Sequence, residues 1–169
     1  VSLLAYHLPL DAHPEFGNNA RLAEILGLQK KGMFGNAHSS SSDPDSSQEI
    51  AMVGELVEPV DGDTFARHIA DRLQRSPLYI KGSGNPIRTI GWCSGAAQSY
   101  LEQAVALGLD AFLTGEVSEQ TVHIARETGI HFYAAGHHAT ERYGAESLGQ
   151  HLAGKFSLDV QFIDIDNPV

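Results

Sequence analysis

The sequence contains a single cysteine, Cys93, so no disulfide can form within the chain. One thiol and no disulfide framework fit a reducing compartment, and the expected location is the cytoplasm. Long hydrophobic runs are absent too. A membrane helix needs about 20 consecutive apolar residues, and nothing here approaches that, nor does any stretch read as a secretory signal. Basic residues are scarce: eleven Lys and Arg stand against 21 Asp and Glu, a formal net charge of −10. That disfavours an extended duplex-DNA surface, where affinity comes mainly from Lys and Arg on phosphates. Single-stranded nucleic acid is disfavoured by the same charge, unless residues such as Arg88, Arg126 and Arg142 converge. There is no Walker A segment and no internal repeat. Methionine is missing at position 1, and Val1-Ser2-Leu3-Leu4 reads as a strand already under way. The expectation is a fragment or a processed chain.

What is present suffices for one domain: 169 residues, 42% of them hydrophobic. Leu3–Leu8 reads as a strand and Pro9–Gly17 as a loop. Asn18 and Asn19 are suited to cap an amphipathic helix over Ala20–Leu28. Residues 29–49 read as a surface insertion, Ser-rich and without fixed structure around 35–49. Ile50–Val57 is the next strand, and Asp61 or Asp63 can cap a helix over Thr64–Arg75. Leu78–Lys81 and Ile87–Trp92 are short strands. There follow a helix over Ala96–Leu107, a strand over Ala111–Thr114, a helix over Ser118–Glu127, a strand over His131–Ala135, a long helix over His138–Lys155 and a closing strand over Val160–Ile165. The alternation from Ile87 onward predicts an α/β layered fold with a largely parallel sheet.

Four polar clusters follow predicted strands. His137 and Glu141 stand four apart just after Gly136, with His138 beside them. On a helix such residues are neighbours, about 5–6 Å apart at Cβ. An imidazole and a carboxylate so placed can hold a divalent ion; equally, they can decorate a first helical turn, where an acid suits the helix dipole. Tyr6-His7-Leu8-Pro9-Leu10-Asp11-Ala12-His13 places two histidines around an aspartate, which reads as a metal-bridging acid or as an Asx-type turn before Pro14. In Thr114-Gly115-Glu116-Val117-Ser118-Glu119-Gln120, Ser118 is an N-cap. Glu116 lies in the crossover, where it could orient a ligand or move a proton. Gly91-Trp92-Cys93-Ser94-Gly95 has nucleophile-elbow spacing with Cys in place of Ser; a tight turn explains its glycines as well. Parallel strands would bring these clusters to one edge of the sheet, where open α/β folds bind ligands.

Taken in order, these segments resemble the NIF-three-like family, whose bacterial members are labelled GTP cyclohydrolase I type 2 homologues. The resemblance runs from Val1 to the closing Phe162-Ile163-Asp164-Ile165-Asp166-Asn167-Pro168. It implies two linked α/β lobes in the complete protein and a toroidal homo-hexamer. It also implies a pair of divalent metal ions per complete subunit, drawn from Zn, Fe, Mn, Co or Ni. The family's Asp, His and Glu ligands fall on Asp11, His137 and Glu141, with Asp11 and Glu141 bridging. Glu116 and His138 become the candidate catalytic, proton-handling groups, with His7 beside them. The family's N-terminal His-His pair is absent from this sequence. The chain is therefore expected to be the C-terminal part of the domain, with an incomplete N-terminal lobe, weakened metal binding and a disturbed ring. The implied function is a metal-dependent hydrolase acting on a small molecule. The alternatives are a non-catalytic ring that binds or delivers metal or surrounds single-stranded nucleic acid, and a thiol hydrolase using Cys93.

Overall fold

The computed structural model describes residues 1–36 and 49–169. Its centre is a six-stranded mixed sheet in the order β1-β2-β4-β5-β6-β3. The strands are β1 (Gln29–Asn36), β2 (Glu49–Val60), β3 (Leu78–Ile80), β4 (Ile87–Trp92), β5 (Ala111–Thr114) and β6 (His131–Ala134). β4, β5 and β6 run parallel. β1, β2 and β3 join them antiparallel. The parallel core is the part that the β-α alternation predicts, and its strands are apolar on both faces because helices cover both. β5 shows this in four letters: Phe112 faces one core, Ala111 and Leu113 the other.

One core packs Leu22 and Leu26 of α2 (Asn18–Leu26) and Phe65, Ile69 and Leu73 of α3 (Gly62–Leu73) against Ile90, Trp92, Leu113 and Tyr133. The opposite core packs Leu101 and Ala104 of α4 (Leu101–Ala106) and Ala125 of α5 (Glu119–Thr128) against Phe34, Phe112 and Phe132. The caps follow the sequence. Asp61 accepts from Thr64 N at the start of α3. Ser118 and Thr121 form a reciprocal capping box on α5, and Gly129 ends it in the left-handed region.

Several expectations need correction. Leu3–Leu8 is not a strand: residues 1–7 have no regular structure. The chain then turns into a short helix, α1 (Leu8–Asp11), with Pro9 in its first turn, where a missing N–H costs nothing. Asn18 and Asn19 do not cap α2 but lie inside it, behind Gly17. The polar run after Leu28 is not part of a loose insertion. It forms β1, whose partner β2 supplies the apolar face, while Lys30 and Lys31 mark it as an edge. The Ser-rich tract itself lies outside the described residues. The helix predicted from Ala96 begins only at Leu101, after a 3-10 turn over Gln98–Tyr100. The long helix predicted from His138 is two helices, α6 (His137–Glu141) and α7 (Tyr143–Phe156), broken at Arg142. Val160–Ile165 pairs with no strand among the described residues.

Candidate metal centre

The parallel ladder outruns its strands. Cys93 N donates to Leu113 O at 3.0 Å, Gly115 N to Gly95 O at 2.9 Å, Ala135 N to Thr114 O at 2.8 Å and Gly136 N to Gly115 O at 3.0 Å. The turns after β4, β5 and β6 are thereby held side by side at one edge of the sheet. Gly115 allows the closest approach: a Cβ there would stand 2.7 Å from Gly95 O and from the Cα of His137. The Thr140 hydroxyl accepts from Gly95 N at 3.1 Å, tying α6 to the β4 turn.

His137 emerges from this edge between two carboxylates. Its Nδ1 is 2.7 Å from Glu116 Oε1, and its Nε2 is 2.7 Å from Glu141 Oε2. The hydrogen bond to Glu116 raises the imidazole pKa, and the charge of Glu141 adds to the rise against an opposing cost of burial. A proton on Nδ1 shared with Glu116 leaves Nε2 facing Glu141 as the nitrogen that can ligate. This is the histidine–carboxylate arrangement that orients metal-binding imidazoles.

Asp11 reaches the same place from α1. The carboxyl is buried, and burial pushes its pKa up, although a hydrogen bond from Asn18 Nδ2 at 2.7 Å works against the rise. His7, Asp11 and Glu141 each present a ligand atom, and these atoms lie within 4.8 Å of one another. One imidazole and two carboxylates, with the His137 Nε2 against one of them, form an N/O donor set suited to a first-row divalent ion. Gly95 lies beside them with φ +65°, and a Cβ on it would stand 2.9 Å from Glu141 Oε1 and 3.1 Å from His137 Nε2. The donors line a cavity of about 260 Å³ with Ile50, Cys93, Ala97 and Tyr100.

Of the residues singled out by sequence, Asp11, His137, Glu141 and Glu116 converge here. His7, expected beside them, comes within 4.8 Å of the Asp11 and Glu141 carboxylates. His138 turns to the other side of the His137–Glu141 wall, where its Nε2 lies 3.0 Å from Asp164 Oδ1 and its backbone N donates to Val169 O. Asp164 also accepts from Arg142 Nη1 at 2.8 Å. Cys93 is buried in the cavity wall, and burial pushes its thiol up to about 12. Its hydrogen-bond partner is Asn19 Nδ2 at 3.8 Å, not a histidine. A thiol so placed stays protonated near neutrality, and the nucleophile-elbow reading loses its base.

Two positioning residues went unassigned by sequence. Asn18 donates to Asp11 and accepts from Gly144 N at 2.7 Å, so one amide fixes a candidate ligand and pairs an N–H in the first turn of α7. Asn19 donates to Ile50 O at 2.9 Å and accepts from Ser94 N at 2.8 Å, pinning α2 to β2 and to the β4 turn. Both were legible only as helix caps, because their partners lie far away in sequence.

Known proteins supply the family. The family model described as Duf34/NIF3 (NGG1p interacting factor 3) matches residues 1–168. A Pseudomonas aeruginosa protein named GTP cyclohydrolase 1 type 2 homolog is 54% identical over 168 residues, covering 99% of this chain and 63% of that protein. A Vibrio cholerae protein of the same name is 48% identical over 171 residues, covering 100% and 64%. The chain thus spans less than two thirds of the length of these relatives. Among solved structures, protein ybgI, described as of unknown function, superposes with a TM-score of 0.87 at 47% identity, over 98% of this chain and 62% of that one. TTHA1606 from Thermus thermophilus gives 0.76 at 28% identity, over 98% and 61%. Among the described residues no helix is long and apolar enough to cross a membrane. With the family model matched almost from end to end, the chain belongs to the DUF34/NIF3 family.

Proposed function

We propose that this chain carries the greater part of a divalent-metal centre and that the complete protein uses it as a metal-dependent hydrolase of a small molecule. The observation that carries this reading is the convergence of His7, Asp11 and Glu141 within 4.8 Å, with His137 against Glu141, on the wall of an open cavity. Closed donor sets serve structure; a set facing a cavity leaves room for a substrate. When bound, divalent ions supply a nucleophile at neutral pH and stabilise a developing oxyanion.

The chain's own residues divide the remaining work. Asp11 and Glu141 bring the negative charge that a dication needs. His137 supplies Nε2, and Glu116 keeps its proton on Nδ1. Glu116 is also the carboxylate placed to take up a proton when the His137 imidazole changes partner. Cys93, Ile50 and Tyr100 form the less polar wall that admits the rest of the substrate. A second ion requires donors beyond this set, and we propose that the complete subunit provides them within a cytoplasmic ring of six. The name of these relatives, GTP cyclohydrolase 1 type 2 homolog, suggests a nucleotide as the first substrate to try.

The test is metal content by elemental mass spectrometry, on the native chain and on Glu141→Ala, with molecular mass by light scattering. Stoichiometric metal lost in the variant supports the centre, and a screen of phosphorylated and nucleotide substrates follows. Metal without turnover in the complete protein points to binding or delivery instead. Absence of metal from both proteins sinks the assignment for this chain.

A further inference from the structure

The wall made by His137 and Glu141 has a second cavity against it. This cavity measures about 340 Å³ and is lined by the same two residues with His138, Asn167 and Val169. At its rim a carboxylate is already held by basic groups. Asp164 accepts from Arg142 Nη1 at 2.8 Å and from His138 Nε2 at 3.0 Å. A carboxylate can only accept, so the His138 proton is on Nε2. The basic groups are fixed more firmly than the acid. Arg142 also donates from Nη2 to Leu73 O at 3.4 Å, and its guanidinium lies 5.3 Å from the centre of the Tyr143 ring. The Arg142 and His138 side chains are 22% and 29% exposed, against 43% for Asp164. Asp164 also comes from residues 158–169, which have no regular structure.

Arg75 adds a second guanidinium at the other end of α6. It packs on the backbone of Gly136, just before His137, where a Cβ would stand 2.5 Å from its Nε. It forms no ion pair among the described residues. One tethered carboxylate thus stands near two arginines and a histidine.

We infer that Arg142, His138 and Arg75 form a subsite for a phosphate group, that Asp164 holds its place in the free protein, and that a phosphorylated substrate displaces Asp164. The inference deepens the metal-centre reading and rests on it for the reacting end of the substrate. The bond to be cleaved lies at the donors, and the phosphate lies in the adjoining cavity. A phosphate dianion brings more charge than Asp164 and three oxygens, which suit the guanidinium fork.

The test is calorimetric titration of inorganic phosphate and phenyl phosphate into chelated protein, where no metal can take the anion. Saturable binding is expected for both. Asp164→Asn should tighten it about fivefold, the upper worth of an exposed ion pair. Arg142→Gln and Arg75→Gln should each weaken it about tenfold, the worth of one charge-assisted hydrogen bond. Arg142 also holds Leu73, so Arg75→Gln, which breaks no ion pair, is the decisive variant. Lack of saturable binding to Asp164→Asn, or native affinity in Arg75→Gln, overturns the inference. So does an Asp164→Asn protein that binds phosphate no better than the native one, the mark of an ion pair that only tethers the segment after α7. Failure of the metal centre would show separately, as absent metal in the elemental measurement with phosphate binding intact.

Discussion

Asn18 and Gly144 are 126 residues apart in sequence, and the Asn18 Oδ1 accepts the Gly144 N–H at 2.7 Å in the interior. The other end of the same amide holds Asp11. Gly144 lies in the first turn of α7, where a backbone N–H has no partner within the helix. Asn18 supplies that partner, and in doing so separates α7 from α6. Asn18→Ala removes both bonds and leaves a buried carboxyl and a buried N–H unpaired. The expected cost is about 1–3 kcal/mol, read from urea unfolding, together with lost metal. Unchanged stability would show that the two groups find other partners.

The pH response of the metal-free protein follows from His137. Its pKa is raised in the folded state above the ordinary 6.5, chiefly by the hydrogen bond to Glu116. The folded protein therefore holds this proton more tightly than the unfolded chain. The stabilisation is complete below pH 6.5 and is lost as pH rises through the higher folded value. Asp11 acts with the same sign at lower pH, because burial raises its pKa above 3.8 and the folded state loses its advantage as the carboxyl ionises. Metal competes for the sites of these protons, so affinity should rise with pH as stability of the metal-free protein falls. Midpoints of thermal unfolding with and without chelator, from about pH 5.5 to about pH 8.5, check both directions across the histidine titration.

Gly95→Ala isolates the site from the fold. The residue sits at φ +65°, where a side chain costs about 1–2 kcal/mol. Its Cβ would also press on Glu141 and His137. The protein should remain folded, with a circular dichroism spectrum like the native one, and bind metal at least tenfold more weakly by a cost of about 1.4 kcal/mol or more. Native affinity in this variant would mean that the donors do not gather as described.

Cys93→Ala should leave metal content unchanged and any turnover within about threefold, allowing for the context dependence of a buried truncation. The native thiol should resist alkylation at neutral pH, since burial holds it protonated up to about 12. Rapid alkylation with complete loss of turnover would restore the thiol-hydrolase reading.

Ser118→Ala is the contrasting change. It removes the capping box of α5 and should cost about 1 kcal/mol with no effect on metal content, measured on the same samples. Metal loss here would connect α5 to the donors in a way that the hydrogen bonds do not suggest.

Much of this was legible in the sequence because it is local. Ile87–Trp92 and Ala111–Thr114 have the bounds that their apolar letters give. Ser118, Asp61 and Gly129 act as their residue types predict. The larger illegible parts are long-range. β1 contains Lys30, Lys31, Gly32 and Gly35, all depleted in strands, and it becomes a strand only because β2 lies beside it. Val160–Ile165 has the apolar letters of a strand but no ladder partner among the described residues, and pairing, not propensity, makes a strand. Asp11, Glu116 and Glu141 could be named as candidates from their places after predicted strands. The bridging roles of Asn18 and Asn19 could not, since an N-cap and a buried bridge use the same letter.

The backbone register past β4, β5 and β6 has a consequence for how such a centre can vary. His137, Glu116 and the Gly95 turn stand on adjoining rails of one ladder, whose lateral pitch is about 4.8 Å. That pitch is a property of peptide groups and is the same whatever side chains they carry. Exchanging the donor His137 or its partner Glu116 at these stations should alter which ion is preferred while leaving the spacing of the rails untouched. The sheet serves here as a fixed template, and the chemistry is what can be swapped upon it.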